Sequence, residues 1–292
     1  MNAPASTFDS PLKQLIEVLV CPLCHSSLSE EHQALQCKGC FKYYPILPDM
    51  VMMAPDQATL INPTDVTSSD DTDAPTGEIY DDTIKDQSFE TISDELADAQ
   101  SNHQIRRIQH ELHIVTRMLS ELPASTRLLN LACRGGRFSG PMQSATRLLI
   151  EADRNPQKIR EAIDGAMNPP KVAGLNCDAF QLPFADDTIE GVVCARLSHH
   201  LKSESARERL LVELLRVSSG FVVFSFNDAR SISCLSRRLR RRMDNNGAMD
   251  INDIHALCRV RGATVLDLET VSPFGSRHRY ACIVKEDIIR SV

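Results

Sequence analysis

Tryptophan is absent from this chain, and aromatic residues together make up only 5% of it. A surface that grips single-stranded nucleic acid by stacking bases needs more rings than that, so a broad stacking platform is excluded. No apolar run approaches the roughly 20 residues needed to cross a bilayer. The first twenty residues, MNAPASTFDSPLKQLIEVLV, lack the basic start, apolar run and cleavage site of a secretory leader. The expectation is a cytoplasmic chain without membrane insertion. Positive charge is also short: 32 Lys and Arg stand against 39 Asp and Glu, a net charge of -7. That balance speaks against non-specific polyanion binding by the whole surface. At 292 residues the chain has room for one medium domain plus a small one, or for two small domains.

What the sequence has in quantity is cysteine, ten in all. In a small secreted protein ten would predict disulfides, but this chain has neither mark. Four of them form Cys21-Pro-Leu-Cys24 and Cys37-Lys-Gly-Cys40 with twelve residues between the pairs. Two CxxC knuckles at that separation place four thiolates around one zinc ion. The rival reading, a redox-active CxxC, rests on a single motif and fits two paired knuckles less well. His25 and His32 lie nearby, but four cysteines already complete a tetrahedral shell. The segment between the knuckles, SSLSEEHQALQ, reads as a hairpin with Leu28 and Leu35 facing inward. The other six cysteines (Cys133, Cys177, Cys194, Cys234, Cys258 and Cys282) sit mostly in apolar runs and read as buried, reduced thiols. Ser10–Val20 is a short amphipathic helix candidate leading into the first knuckle.

The run CPLCHSSLSEEHQALQCKGCFKYYPILPDMVMMAP resembles a small zinc-ribbon module, over about Val20–Pro55, with FKYYPI as its best mark. Members of that family occur as free activators of tRNA and release-factor methyltransferases, and fused in front of bacterial methyltransferase domains. Four cysteines leave no open coordination position, so the zinc is expected to serve folding, not catalysis. Residues 1–55 are read as this ribbon. From about 56 to 98 the composition turns to Asp, Thr, Ser and Pro, and Lys85 is the only basic residue of INPTDVTSSDDTDAPTGEIYDDTIKDQ. Such a stretch cannot bury enough apolar surface to fold alone and reads as an acidic linker. Its EIYDD segment, Glu78–Asp82, is a candidate lid.

Beyond the linker, Ile105, Ile108, Leu112, Val115 and Leu119 recur at helical spacing up to Pro123. The stretch Arg127–Asp153, RLLNLACRGGRFSGPMQSATRLLIEAD, then reads as strand, tight Gly135-Gly136 turn, helix and strand, with an acid at the second strand's tip. That is the opening βαβ of a nucleotide-binding fold. Strand candidates continue at Leu128–Leu131, Leu148–Glu151, Val172–Asn176, Ile189–Ala195, Phe221–Phe226, Thr264–Glu269 and Arg279–Val284. Helices fall between them, notably Ser203–Val217, with Leu210, Leu211, Leu214 and Leu215 on its apolar face, and Asn252–Arg261. Alternation of this kind predicts a parallel sheet with helices on both faces.

Three stretches then resemble the class I S-adenosylmethionine-dependent methyltransferases, of the type-11-like kind. LLNLACRGGRF resembles the family's vLDlGCGtGrf, LLIEADRNPQKI its segment with the ribose-binding acid, and CDAFQLPFADDTIEGVVCARLSHHL its gDaxxLPFpdxsFDxVxcxxxLhHl. The match covers Arg127 to about Val217 and weakens after it. It implies an α/β, Rossmann-like, seven-stranded class I methyltransferase sheet over residues 99–292, preceded by the small zinc ribbon, with S-adenosylmethionine as cofactor. By position, Asp153 would take both ribose hydroxyls, Asp178 the adenine amino group, and Ala179 would lie against the ring. Asn130, Ala132, Arg134, Gly135, Gly136, Arg154 and Arg196 would complete the cofactor's surroundings. Taken singly, either aspartate reads equally as a turn or cap residue.

The departures matter as much. Asn130 stands where the family has an acid, and Ala132 and Arg134 where it has glycines. A methyl group at 132 is tolerable, whereas the Arg134 side chain must point away from the cofactor's methionine end or fill its place. His199-His200 follows the fourth strand, where the family's substrate meets its cofactor. A histidine titrating near neutrality can accept a proton there; equally, one of the pair serves only to hydrogen-bond backbone. Arg237–Arg242 (RRLRRR) is the one concentrated basic run. It reads either as a solvated face, pairing with the acidic linker, or as a dock for an anionic substrate such as RNA or a phosphorylated metabolite. Two functions follow: methyl transfer to a small molecule or RNA, or a catalytically inactive methyltransferase fold kept as a binding scaffold.

Overall fold

The computed structural model describes residues 10–60, 102–231, 247–271 and 277–289. The acidic stretch from residue 61, Glu78–Asp82 within it, Cys234 and the Arg237–Arg242 run lie outside the described residues. In chain order the helices are α1 (Pro11–Ile16), α2 (Asn102–Ser120), α3 (Ser139–Ala145), α4 (Pro156–Asp164), α5 (Glu204–Val217), α6 (Ile251–Val260) and α7 (Glu286–Ile289). The first strands are β1 (Leu28–Glu31), β2 (Ala34–Cys37), β3 (Tyr43–Pro45), β4 (Met50–Met52), β5 (Ser125–Leu131) and β6 (Thr146–Asp153). They are followed by β7 (Val172–Asn176), β8 (Ile189–Cys194), β9 (Ser218–Asp228), β10 (Ala248–Met249), β11 (Ala263–Thr270) and β12 (His278–Lys285).

The chain divides into two units, the first made of Met1–Thr67, Pro123–Val193 and Arg216–Phe221. Its N-terminal helix α1 starts where the Ser10 side chain accepts the Lys13 amide and Pro11 takes the first helical position, a capped start that needs no donor there. The ribbon is a three-stranded antiparallel sheet, β1-β2-β3, with Leu28 opposite Cys37 and Gln36 opposite Tyr43. Leu35 is buried as expected, while Leu28 is only partly covered.

The ribbon does not end as a separate body. Its fully buried strand β4 pairs in parallel with β7, Met50 opposite Gly174 and Met52 opposite Asn176. The order within this unit is β8-β5-β6-β7-β4, so MVM forms the edge of the parallel sheet. Gly174 permits it: a Cβ there would lie 2.6 Å from Met50 Cβ and 2.7 Å from Ile159 Cγ2. The Leu19–Phe184 bridge and the Val20 amide bonded to the Pro183 carbonyl attach the ribbon a second time.

The second unit is made of Ser68–Leu122, Cys194–Leu215 and Val222–Val292. Its strands run β11-β12-β9, with β11 antiparallel to β12 and β10 parallel to β9. On α5, Leu210, Leu211, Leu214 and Leu215 are all buried, as the sequence predicts. On α2 the covered face is rotated from the expected one. Glu111, Ile114, Val115, Met118 and Leu119 are buried, whereas Ile105 is 41% exposed. A pattern read on apolar residues alone cannot include the carboxylate that this face encloses.

All seven strands expected after residue 120 are present, and β10 is additional. Cys133, Cys177, Cys194, Cys258 and Cys282 are buried free thiols, as read from their apolar surroundings.

Candidate functional site

The four ribbon cysteines converge. All their sulfurs lie within 4.8 Å of one another, with Cys21 and Cys40 3.6 Å apart and Cys24 and Cys37 3.4 Å apart. Zinc–thiolate bonds of about 2.3 Å in a tetrahedron require sulfurs roughly 3.8 Å apart, so the donor set fits that ion. Among the described residues no other group of His, Cys, Asp or Glu is so arranged, and His25 and His32 occupy left-handed turn positions instead. The Cys37 thiol receives the Gly39 and Cys40 amides, and Tyr44, fully buried, lies 3.2 Å from Cys21 through its hydroxyl. That contact accounts for the second tyrosine of FKYYPI. Ser26 draws the Cys24 thiol down to about 6, while burial pushes Cys40 up to about 12. A bound zinc would deprotonate all four.

The loop between β5 and α3 keeps a glycine-like backbone at residues that are not glycine. Ala132 (φ 58°), Arg134 (φ 50°), Gly135 (φ 76°) and Gly136 (φ 85°) are all left-handed. An L side chain in that region costs about 1 kcal/mol or more, so tertiary contacts hold Ala132 and Arg134 there. The Cys133 amide bonds the Ala152 carbonyl and the Arg134 amide reaches Asp153 Oδ2 at 3.3 Å. Gly136 sits so close to α4 that a Cβ would meet Ala162 Cα at 3.0 Å.

Parallel pairing of β6 with β7 brings the acids together at the strand tips, where Asp153 stands opposite Asn176. Asp153 is buried, which raises its carboxyl, and its Oδ1 accepts the Asn155 amide. Asp178 accepts the Phe180 amide at 2.8 Å, and Arg154 lies 3.5 Å from it. Ala179 beside it is partly covered. Asn130 is buried and donates to Glu151 Oε2 at 2.7 Å; Ser139 donates to Glu151 Oε1. Burial pushes this carboxyl up to about 7. Glu151 was not picked out from the sequence, where it reads as a polar residue inside a strand.

The remaining site residues form a second group, within the second unit. Arg196 is again left-handed (φ 61°), its amide bonded to Ser225 Oγ at 2.6 Å. The His199 and His200 rings are 4.6 Å apart, and His278 comes within 5.3 Å of His199. Behind them Glu111, fully buried, meets Arg107, Arg196, His278 and the Tyr280 hydroxyl at 3.3–3.5 Å. Burial alone would raise this carboxyl; His278, Arg196 and Arg107 outweigh it and hold it at about 2. Burial pushes His278 down despite that carboxylate. No local signal could have singled out Glu111, Arg107, His278 or Tyr280, because the chain segments that carry them meet only in the folded unit.

Residues 129–224 match the family model of a methyltransferase domain, and residues 13–46 that of Trm112p-like proteins. The chain is a methyltransferase-domain protein with a Trm112p-like zinc-ribbon module at its N-terminus. Over 53 residues, 18% of this chain, it is 43% identical to a UPF0434 protein of Nitrosococcus oceani, covering 90% of that protein, and this segment belongs to the same family. The methyltransferase fold extends to solved structures. One is a magnesium protoporphyrin IX methyltransferase from Synechocystis PCC 6803 with bound SAH (18% identity, TM-score 0.58, 70% of this chain and 100% of that one). Another is the N-methyltransferase NodS from Bradyrhizobium japonicum WM9 in complex with S-adenosylhomocysteine (16% identity, TM-score 0.51, 68% and 99%). At these identities the likeness is one of fold. The methyltransferase domain of this chain therefore has the expected architecture, and no helix among its described residues is long and apolar enough to cross a membrane.

Proposed function

We propose that the chain is an S-adenosylmethionine-dependent methyltransferase of the cytoplasm, acting on a small molecule or RNA, with a structural zinc in its ribbon. Its division is residues 1–55 for the ribbon, 56–98 for an acidic linker or lid, and 99–292 for the methyltransferase domain. One observation carries the reading: the loop retains left-handed backbone at Ala132 and Arg134 although neither is glycine. A fold that had abandoned its cofactor would have no reason to maintain two strained residues beside a buried acid.

When bound, S-adenosylmethionine supplies a methyl group activated by a sulfonium. Asp153 is the residue to receive the ribose hydroxyls; each carboxylate oxygen has a second lone pair beyond the amide it accepts. Asp178 would meet the adenine amino group and Ala179 the ring. Gly135 and Gly136 keep the loop close to α4, and Arg154 lies against Asp178. His199 or His200 would accept the proton released by the nucleophile. Arg237–Arg242 would dock an anionic substrate.

Calorimetry on the full chain with S-adenosylmethionine and S-adenosylhomocysteine tests this. Micromolar binding is expected; no heat at millimolar ligand would replace the enzyme with the scaffold. That second reading draws on Arg134, which stands where a methyltransferase loop has glycine. Arg134→Gly then separates a blocked loop, which regains affinity, from an abandoned one, which does not.

A further inference from the structure

Two arginines of the second unit share one buried carboxylate, and each turns its Nε to it. Arg107 Nε donates to Glu111 Oε1 at 3.3 Å, and Arg196 Nε lies 3.5 Å from Oε2. Arg107 and Glu111 come from α2 and Arg196 from the segment after β8, all within this unit. Glu111 is 0% exposed, and the Tyr280 hydroxyl donates to its Oε2 at 3.3 Å. Arg107 Nη2 faces His278 Nδ1 at 3.5 Å. Pairs of arginine and carboxylate are frequently bidentate, two donors on two oxygens. Here a single nitrogen of each arginine is spent on the carboxylate. Arg107 Nη1 and both terminal nitrogens of Arg196 bond nothing among the described residues.

The charge count agrees with this. Its neighbours hold the Glu111 carboxyl at about 2, so it is ionised, and burial pushes His278 down toward its neutral form. Two guanidiniums against one carboxylate leave a positive charge over. Asp228, the other buried acid among the described residues of this unit, is taken by Arg279 at 3.0 Å. The Arg196 side chain is only 12% exposed, so water compensates the excess poorly. Resting on the methyltransferase reading, we propose that Arg196 and Arg107 form a subsite for an oxyanion carried by the methyl acceptor, a carboxylate or a phosphate. Glu111 is the positioning residue that fixes both guanidiniums.

The open edge of Arg196 offers two donors in the fixed fork that matches two oxygens of a carboxylate or phosphate, and Arg107 adds a third from α2. Glu111 lies on the Nε side of both groups, so an incoming anion meets amino groups, not the carboxylate. Arg196 is in place before a ligand arrives: its amide bonds Ser225 Oγ at 2.6 Å, and Ser198 Oγ bonds the Ser225 carbonyl at 2.7 Å. Little ordering is then lost on binding. By sequence resemblance Arg196 belonged with the cofactor; its open guanidinium assigns it to the acceptor instead. His199 and His200 follow it on the same short segment, so the anion's anchor and the candidate proton acceptors are set together. The substrate class follows: an acceptor with an acidic handle, not a neutral or cationic one.

Inorganic phosphate and acetate, titrated separately at pH 7 and low salt into the full chain with 15N-labelled arginine, test this. Expected is a saturable shift of the Arg196 and Arg107 Nε signals, assigned by their loss in Arg196→Lys and Arg107→Lys. The anion that binds tighter names the handle. Arg196→Gln should weaken it by about tenfold or more, and Arg196→Lys, which keeps the charge but not the fork, should not restore it. If Arg196→Gln does not fold, Arg107→Gln carries the test, because that side chain is 43% exposed. Affinity unchanged in the folded variants, or lost only when Arg240–Arg242 are neutralised, overturns the subsite. Calorimetry with S-adenosylhomocysteine on the same samples keeps the two readings apart. Anion binding without S-adenosylhomocysteine binding sinks the cofactor reading alone. Loss of S-adenosylhomocysteine affinity in folded Arg196→Gln, with anion affinity kept, returns Arg196 to the cofactor and sinks the subsite alone.

Discussion

Asn130 and Glu151 face each other across the β5–β6 ladder, and the Asn130 amide donates to the Glu151 carboxylate at 2.7 Å. The acid missing from the end of β5 is thus present one strand away, beneath the same loop. Ser139, at the start of α3, binds the other oxygen, so Glu151 ties both strands to the helix that follows the loop.

That carboxyl sets a pH dependence. Burial raises it from 4.5 to about 7 in the folded chain. Between those values the folded state binds more protons than the unfolded one, so stability is full below about pH 4.5 and declines as pH rises to 7. The loss attributable to Glu151 is at most on the order of 3 kcal/mol. Denaturant unfolding at pH 5 and pH 8 should show a decline that Glu151→Gln removes; an equal slope in that variant would refute the assignment.

Arg134→Gly should relieve the left-handed strain at φ 50°. A gain of about 1 kcal/mol is expected, read as a higher unfolding midpoint. Arg134→Val, β-branched in the same conformation, should lose more than that. Identical midpoints for all three chains would show that the loop stores no strain.

Gly174→Val should drive a side chain into Met50 and Ile159. The expected cost is about 1–3 kcal/mol of overpacking, with faster hydrogen exchange concentrated in β4 and its β7 partner. Uniform exchange across the chain would argue that the ribbon strand is not anchored there.

Zinc should be present at one ion per chain by elemental analysis, and Cys37→Ser should abolish it. Because β4 follows directly from the ribbon and belongs to the parallel sheet, metal loss should cost more than about 4 kcal/mol and lower the stability of the sheet edge as well as of the ribbon. A metal-free chain with unchanged unfolding would contradict the structural role.

Asp153→Asn should leave the ladder intact while weakening S-adenosylhomocysteine binding by about tenfold or more, since a charge-assisted bond is replaced by a neutral one. Unchanged affinity by calorimetry would move the ribose contact elsewhere.

Much of this was legible in the order of residues, and the reason is locality. Two CxxC pairs define their own knuckles, a glycine turn between apolar runs defines a βαβ unit, and the acids Asp153 and Asp178 fall at strand tips because strand length is set by the apolar pattern. Contacts with no local signature were decided only by tertiary structure. The three residues MVM lie within the stretch that resembles the ribbon module, and only the absence of a side chain at Gly174, more than a hundred residues later, lets them join the sheet. Asn130 read as a lost charge until the β5–β6 register set Glu151 beside it. Hydrophobic spacing found Val115 and Leu119 on the covered face of α2 but not Glu111 beside them, because burial of a carboxylate depends on Arg196 and His278, far away in the chain. Short-range geometry follows from neighbours in sequence, whereas charge compensation and strand-edge pairing follow from neighbours in space.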